Sequence, residues 1–325
     1  MRKNISCIYN KENLGSHEFL CPNRKIWLVK PLTACNLNCK YCYYEINTVL
    51  KNNKPLSTTE LMSVFKDLQF SKNDYIFLSG GEFLLHPNCF EIAKYLRNEG
   101  FTILTTNGIN IPKHEKLIRE VDGVQVSLDS VKSDYHDKYR GEQQKTIEGI
   151  LYLTEHLVNT NIIVVLSKKN IDEFPNILSF CIENKVNGIF IQLLWLPKEH
   201  VLYNELILNK RDSESFKKVK HSLLQAKNKL HVPQNFYLEL LETAIVSTLD
   251  NYEVKNCFGM KCLLTIDPYG NINNCLPSNL IWSCEEYPTT EAAGYSFKNN
   301  VCGHFSNECL CFFGQLTMNY GAKRR

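Results

Sequence analysis

Six short runs of β-branched and aromatic residues, separated by longer stretches of helical period, fill the chain from Lys25 to Leu194. That alternation leaves few folds open, because parallel strands need a long crossover between them and the crossover is usually a helix. The strand segments are Lys25 to Pro31, Tyr75 to Ser79, Phe101 to Thr106, Gly123 to Leu128, Asn161 to Ser167 and Gly188 to Leu194. Each is apolar enough to be covered on both faces, as barrel strands are. Between them, Leu61, Phe65 and Leu68 recur at helical spacing, as do Ile147, Ile150, Leu151, Thr154, Leu157 and Val158, and Phe174, Ile177, Leu178, Cys181 and Ile182. Each set predicts one buried stripe. A last helix fits Phe216, Val219, Leu223, Ala226 and Leu230, with Pro233 just past its end, and the alternation stops there.

Length and composition fit one large α/β unit with a small appendage. The chain has 325 residues, 44% hydrophobic and 22% charged, which is the balance of a folded domain. Its net charge of +3 is too small to draw in nucleic acid or a membrane surface at long range. The longest apolar run, Ile189 to Leu196, is broken by Gln192 and falls short of the roughly 20 residues a membrane span needs. The first twenty residues lack the apolar core and cleavage site of a secretory signal, so the expected compartment is the cytoplasm. Fourteen cysteines are many for a reducing compartment, and metal binding is the reading that accommodates them.

Cys35, Cys39 and Cys42 follow the first strand with the spacing C-x3-C-x2-C. A structural zinc site takes four protein ligands, usually as two separated pairs, and this segment offers no fourth. A [4Fe-4S] cluster bound by three cysteines instead leaves its fourth iron open to a non-protein ligand. The loop resembles the signature of the radical S-adenosylmethionine (SAM) superfamily. That resemblance implies a partial (β/α)6 barrel, SAM chelated at the open iron, and reductive cleavage of SAM to methionine and a 5′-deoxyadenosyl radical. The site would lie at the C-terminal ends of the strands, where this loop also lies.

Further segments carry the resemblance along the chain in order. Gly80, Gly81 and Glu82 resemble a GGE motif, in which side-chain-free backbone approaches the ligand and the carboxylate accepts hydrogen bonds from the SAM ammonium. VQVSLDS and DYHDKYRG resemble the SLDG and HDxxRG segments of the branch with extra C-terminal clusters. By that likeness Ser127 and Arg140 hold the SAM carboxylate and Asp129 lies near the ribose. Thr106, Asn107 and Gly108 resemble a TNG motif, and Tyr41 occupies the slot of an aromatic near adenine, with Tyr43 or Tyr44 as substitutes. Gln192 and Leu194 could border the adenine, although Leu194 fits core packing better.

The last quarter of the chain is rich in cysteine. Cys257, Cys262 and Cys275 surround LLTIDPYGNINN, which reads as two short strands about a turn at Gly270. This resembles the opening of a SPASM or twitch domain, a module that holds auxiliary [4Fe-4S] clusters. Seven cysteines in the module cannot supply eight thiolates, so one such cluster is expected, on Cys257, Cys262, Cys275 and either Cys311 or Cys309, with Cys284 and Cys302 as substitutes. A four-cysteine zinc knot is the structural alternative. Cys89 and Cys181 read as helix thiols, Cys7 and Cys21 have no assigned role, and neither His86 nor His304 has a paired ligand. The expected organisation is an N-terminal extension over 1–22, the barrel over 23–231 and the auxiliary-cluster module over 232–325.

The resemblance implies an enzyme that takes a hydrogen atom from its substrate, with oxidative modification of a peptide or protein side chain as the expected outcome. It also implies an external electron donor such as a flavodoxin or ferredoxin. Only 34 residues precede Cys35, which leaves little room for a leader-binding domain, so oxidation or dehydration of a small molecule such as an aminosugar is the alternative. A non-enzymatic iron–sulfur electron carrier would not need the GGE, SLDS and YRG segments together.

Overall fold

A computed structural model describes residues 25–42, 55–196, 198–246, 252–255, 263–274 and 301–305. The six expected strands form within a residue or two of their predicted bounds: β1 (Ile26–Val29), β2 (Tyr75–Leu78), β3 (Phe101–Thr106), β4 (Gly123–Ser127), β5 (Thr160–Leu166) and β6 (Gly188–Leu193). They are followed by β7 (Tyr252–Lys255), β8 (Leu263–Ile266), β9 (Ile272–Asn274) and β10 (Val301–Phe305). The main sheet runs β6-β5-β4-β3-β2-β1-β8-β9, parallel except where β9 returns antiparallel to β8, while β10 and β7 pair separately. The helices are α1 (Thr58–Asp67), α2 (Cys89–Glu99), α3 (Glu115–Ile118), α4 (Ser133–Tyr139), α5 (Gln143–Glu155), α6 (Phe174–Glu183), α7 (Tyr203–Leu206), α8 (Ser213–Ala226) and α9 (Asn235–Val246). This is the α/β half-barrel that the alternation predicts.

Side-chain alternation decides which face looks into the barrel. Trp27 turns outward, since its Nε1 donates to Asp74 Oδ2 at 2.9 Å and its ring packs on Phe70 at 4.8 Å, which in turn meets Phe65 of α1. Ile26 and Leu28 therefore face inward, and the strand register carries that face to Phe77, Ile103, Gln125, Ile163 and Phe190. Near the C-terminal ends of β3 to β6 the inward Thr105, Ser127, Val165 and Gln192 are partly exposed, whereas their outward neighbours are buried. The concave face thus opens as a cleft at the C-terminal end of the sheet.

Two helices depart from the sequence reading. The fully buried side of α5 is Gln143, Thr146, Gly149, Ile150 and Leu153; of the expected stripe Ile150 is among them, Ile147 and Val158 pack against the core partly buried, Leu151 and Thr154 are only partly buried, and Leu157 lies past the helix end, 81% exposed. The cause is close approach to the Asn107–Gly108 turn: a Cβ on Gly149 would lie 2.2 Å from the Gly108 carbonyl oxygen, and Thr146 Oγ1 donates to the Asn107 carbonyl at 3.0 Å. Small and polar residues, not aliphatic ones, form that contact. Helix α9 was not expected, although Tyr237, Leu238, Leu241, Ala244 and Ile245 are spaced for it and all are buried. Tyr237 stacks on Phe190 at 5.6 Å and its hydroxyl donates to the Ile191 carbonyl at 3.0 Å, closing the β6 side of the barrel.

The expected hairpin is present as β8 and β9 about Gly270, whose φ of 82° suits glycine. It joins the barrel sheet directly, because β8 pairs in parallel with β1 and Leu56 N donates to the Pro268 carbonyl at 2.8 Å. Both α9 and β8 lie past the expected boundary at 231/232 and share the barrel's apolar core. The hairpin's described ends, Leu263 and Asn274, are registered with the start of β1, at the far end of the sheet from the Cys35–Cys42 loop. Cys302 lies in β10, opposite Val254. Cys257, Cys262, Cys275, Cys284, Cys309 and Cys311 lie outside the described residues, as do Cys7, Cys21, Tyr43 and Tyr44.

Candidate active site

The loop from Pro31 to Cys42 leaves the end of β1 and is tied to the barrel at two places. On one side Gly81 N donates to the Leu32 carbonyl at 3.0 Å and Glu82 N to the Ala34 carbonyl at 2.8 Å. A Cβ on Gly80 would stand 2.6 Å from Leu32 O, and one on Gly81 would stand 2.1 Å from Ala34 O. The glycines are thus required by the backbone of the cysteine loop itself, where the sequence reading gave a ligand as the reason. Glu82 is buried, accepting at Oε1 from Leu84 N (3.1 Å) and Thr106 Oγ1 (2.8 Å) and at Oε2 from Asn107 N (2.8 Å). Burial pushes its pKa up, and these donors pull against the rise. Asn107 Nδ2 then donates to Asn36 Oδ1 at 2.7 Å, so the GGE and TNG turns and the cysteine loop form one network.

The second tie is ionic. Asp129, fully buried at the end of β4, accepts from Arg140 Nε at 2.8 Å, from Val165 N at 2.7 Å and from the Tyr41 hydroxyl. The Arg140 guanidinium lies 5.9 Å from the Tyr41 ring centre. Only Nε of its fork is engaged among the described residues, which leaves Nη donors for a ligand. Lys40 N donates to the Tyr139 carbonyl at 2.9 Å, and the Cys39 thiol lies 3.7 Å from the Arg140 carbonyl. The last turn of α4 therefore grips the loop by backbone and by charge. Tyr41, Tyr135 and Tyr139 pack with Leu194, Leu196 and Leu206 into a second apolar cluster over this grip. Leu194 is core, as expected.

Cys35 is exposed and Cys39 and Cys42 are partly buried. Burial is the largest push on both thiols and the neighbouring sulfurs add to it, which raises Cys35 and brings Cys39 to about 11 against the pull of Arg140. Thiols raised in this way, as Cys35 and Cys39 are, need a cation to hold them as thiolates. Among the described residues no three His, Cys, Asp or Glu side chains converge on a single-ion position. Three sulfurs on one loop, in mutual electrostatic reach but not converging, fit a cluster in which each binds a different iron. Of the other expected positions, Ser127 and Gln192 lie on the cleft row, whereas Glu82, Asp129 and Tyr41 are buried in the loop's supports. Cys89 and Cys181 are buried in α2 and α6, and His86 Nδ1 accepts from Asn88 N at 3.2 Å.

Sequence reasoning missed Asn36 and His136. His136 is completely buried, its Nδ1 accepts from Asp129 N at 3.3 Å, and its Nε2 has no partner among the described residues. Its position in DYHDKYRG, one turn before Arg140, was the available signal.

Comparison with known proteins bears on this arrangement. The model of the radical SAM superfamily matches residues 29–181, the span that contains the cysteine loop and both of its ties. The match places residues 29–181 in the radical SAM superfamily. Proteins of this superfamily use a [4Fe-4S] cluster and SAM. Over 253 residues the chain is 28% identical to Fe-coproporphyrin III synthase of Methanosarcina barkeri, covering 75% of this chain and 60% of that protein. It is 28% identical over 231 residues to a probable GTP 3′,8-cyclase of Methanococcus aeolicus, covering 67% and 75%. It is 29% identical over 176 residues to the antilisterial bacteriocin subtilosin biosynthesis protein AlbA of Bacillus subtilis, covering 49% and 36%. Among solved structures, anSMEcpe with bound AdoMet superposes with a TM-score of 0.61 at 18% identity, covering 78% of this chain and 74% of that one. Streptococcus suis SuiB bound to its precursor peptide SuiA gives 0.54 at 15%, covering 85% and 62%. At those identities the likeness is one of fold. Among the described residues no helix is long and apolar enough to cross a membrane.

Proposed function

We propose that this radical SAM protein cleaves SAM reductively at a cluster held by Cys35, Cys39 and Cys42 and oxidatively modifies a peptide or protein side chain. The double anchoring of the three-cysteine loop, to the GGE turn on one side and to Asp129 and Arg140 on the other, is the observation that carries it. A purely electron-carrying site would not need the second anchor to carry an arginine fork beside an open cleft. When loaded, the cluster supplies the electron that converts SAM to methionine and the 5′-deoxyadenosyl radical, which takes a hydrogen atom from the substrate.

The remaining work falls to the chain. In this reading the Ser127 hydroxyl and the Nη groups of Arg140 receive the SAM carboxylate, Arg140 being held in line by Asp129. Gly80, Gly81 and Glu82 border the SAM ammonium, and Asn107 steadies the loop through Asn36. The Tyr41 ring and Gln192 flank the adenine, and the apolar cluster of Tyr41, Tyr135, Tyr139, Leu194, Leu196 and Leu206 keeps water from that side. An auxiliary cluster on Cys257, Cys262, Cys275 and Cys311 or Cys309 forms part of the same proposal, as an acceptor for the electron left on the substrate. The names of AlbA and of the SuiB–SuiA complex support a peptide substrate. The GTP 3′,8-cyclase among the relatives supports a small molecule as the second reading.

The test is anaerobic reconstitution followed by reduction in the presence of SAM, with 5′-deoxyadenosine measured by chromatography. The expected result is SAM-dependent product that disappears when Cys35, Cys39 and Cys42 are all replaced by Ala, with the auxiliary iron retained. An intact cluster that yields no 5′-deoxyadenosine overturns the catalytic reading, and equal iron loss from the whole protein overturns the two-site partition.

A further inference from the structure

Asn107, 6% exposed, is fixed from three directions. Its backbone N donates to Glu82 Oε2 at 2.8 Å and its carbonyl accepts from Thr146 Oγ1 at 3.0 Å, which hold the turn after β3 in place. Its Oδ1 accepts from Ile109 N at 3.1 Å, so the NH2 group faces the other way, and there Nδ2 donates to Asn36 Oδ1 at 2.7 Å. Asn36 is the neighbour of Cys35 in the chain, and an amide nitrogen that has spent one N–H still has a second. The Cys35 sulfur receives it. Burial raises this thiol, and two donors pull against the rise: Leu37 N, 3.4 Å from Cys35 Sγ, and the Asn107 amide. Cys39 is placed differently. Its sulfur lies 3.7 Å from the Arg140 carbonyl, an acceptor that gives a thiolate no support, and what support it has comes from the Arg140 charge. Amide donors therefore gather at Cys35 and not at Cys39.

Hydrogen bonds to the sulfurs are among the factors that set the potential of an iron–sulfur cluster, because a donor favours the more negative, reduced state. We propose that Asn107 is a positioning residue that aims its side-chain amide at the Cys35 sulfur and so raises the reduction potential of the barrel's iron–sulfur cluster. This rests on the reading that Cys35, Cys39 and Cys42 hold that cluster. One electron enters from a donor of the flavodoxin or ferredoxin class and no proton moves, so the amide acts by electrostatic attraction alone. Its effect is to bring a strongly reducing centre within reach of such a donor. Asn36 holds the amide in line from the other side.

A redox titration of the reconstituted full chain without SAM, followed by electron paramagnetic resonance, measures this. The barrel signal is the one absent when Cys35, Cys39 and Cys42 are all replaced by Ala. Asn107→Ser keeps an oxygen for Ile109 N but has no amide, and Asn107→Asp keeps the shape but puts a carboxylate oxygen where Nδ2 stood. Neither alters the backbone N that binds Glu82. Losing one N–H to a charged acceptor should lower the equilibrium constant for one-electron reduction about tenfold in Asn107→Ser, a midpoint ~59 mV more negative, and at least as far in Asn107→Asp. Asn36→Ala cuts the 2.7 Å bond but leaves the amide, and should move the midpoint less. Either Asn107 variant that retains its iron suffices. An unchanged midpoint overturns the proposal, as does an equal shift in Asn36→Ala, which would make the amide a brace for the loop. Failure of both Asn107 variants to bind barrel iron also overturns it, since the side chain would then serve assembly. A wild type with no signal that the triple replacement removes fails the cluster reading itself, an outcome distinct from an unchanged potential.

Discussion

Separating the charges of Asp129 and Arg140 one at a time should cost far more than removing both. The pair is 2.8 Å apart, with side chains 0% and 13% exposed. At that separation and an effective dielectric near 20, the attraction is about 6 kcal/mol before desolvation is subtracted. Breaking such a buried pair by removing one partner typically costs about 3 to 5 kcal/mol, because the other charge stays buried and unmatched. Asp129→Ala should fall at the upper end, since it also strands Val165 N and the Tyr41 hydroxyl. Arg140→Met should fall near 3 kcal/mol, because Asp129 keeps those two donors. The double variant leaves no buried charge, so its cost should lie below the sum of the single costs by about 2 kcal/mol or more. Urea unfolding of the metal-free chain measures all four species. Costs that add to within about 0.5 kcal/mol would show that the pair does not clamp α4 to β4, and the account of how the cysteine loop is held would fail with it.

Gly81→Ala places a methyl 2.1 Å from the Ala34 carbonyl oxygen, so the loop must move. The variant should assemble with markedly less iron on Cys35, Cys39 and Cys42, checked by iron and sulfide content, and wild-type iron loading would contradict the backbone pairing. Gly149→Ala meets the Gly108 carbonyl oxygen at 2.2 Å and should destabilise the fold by roughly 1 to 3 kcal/mol in the same unfolding assay. Burial lowers the His136 pKa from 6.5 to about 4. Between those values the unfolded state binds the proton and the folded state does not, so stability falls as pH drops from 6.5 towards 4, by up to roughly 3 kcal/mol. The difference between the stability–pH curves of the wild type and His136→Gln isolates that loss, and parallel curves would mean that His136 is not held neutral.

Much of this was readable from residue order alone. The strands announced themselves because a parallel strand covered on both faces must be apolar throughout, and the helix stripes of α6 and α8 because a helix with one dry side repeats at a fixed period. The cysteine spacing pointed to a cluster because ligand count is a property of sequence. What the order of residues did not disclose is how close two backbones come. The burial of α5 follows from Gly149 and Thr146 meeting a turn some 40 positions away, a contact that favours small side chains and so turns the buried side away from Leu151 and Thr154. The GGE glycines are explained by the loop from the preceding strand, and Asp129 becomes a buried counter-ion only because β4, β5, α4 and the cysteine loop converge on it. Local composition determines which elements form, through propensity and periodicity. Burial, close approach and the meeting of charges depend on chain segments distant in sequence, and the tertiary structure alone decides those.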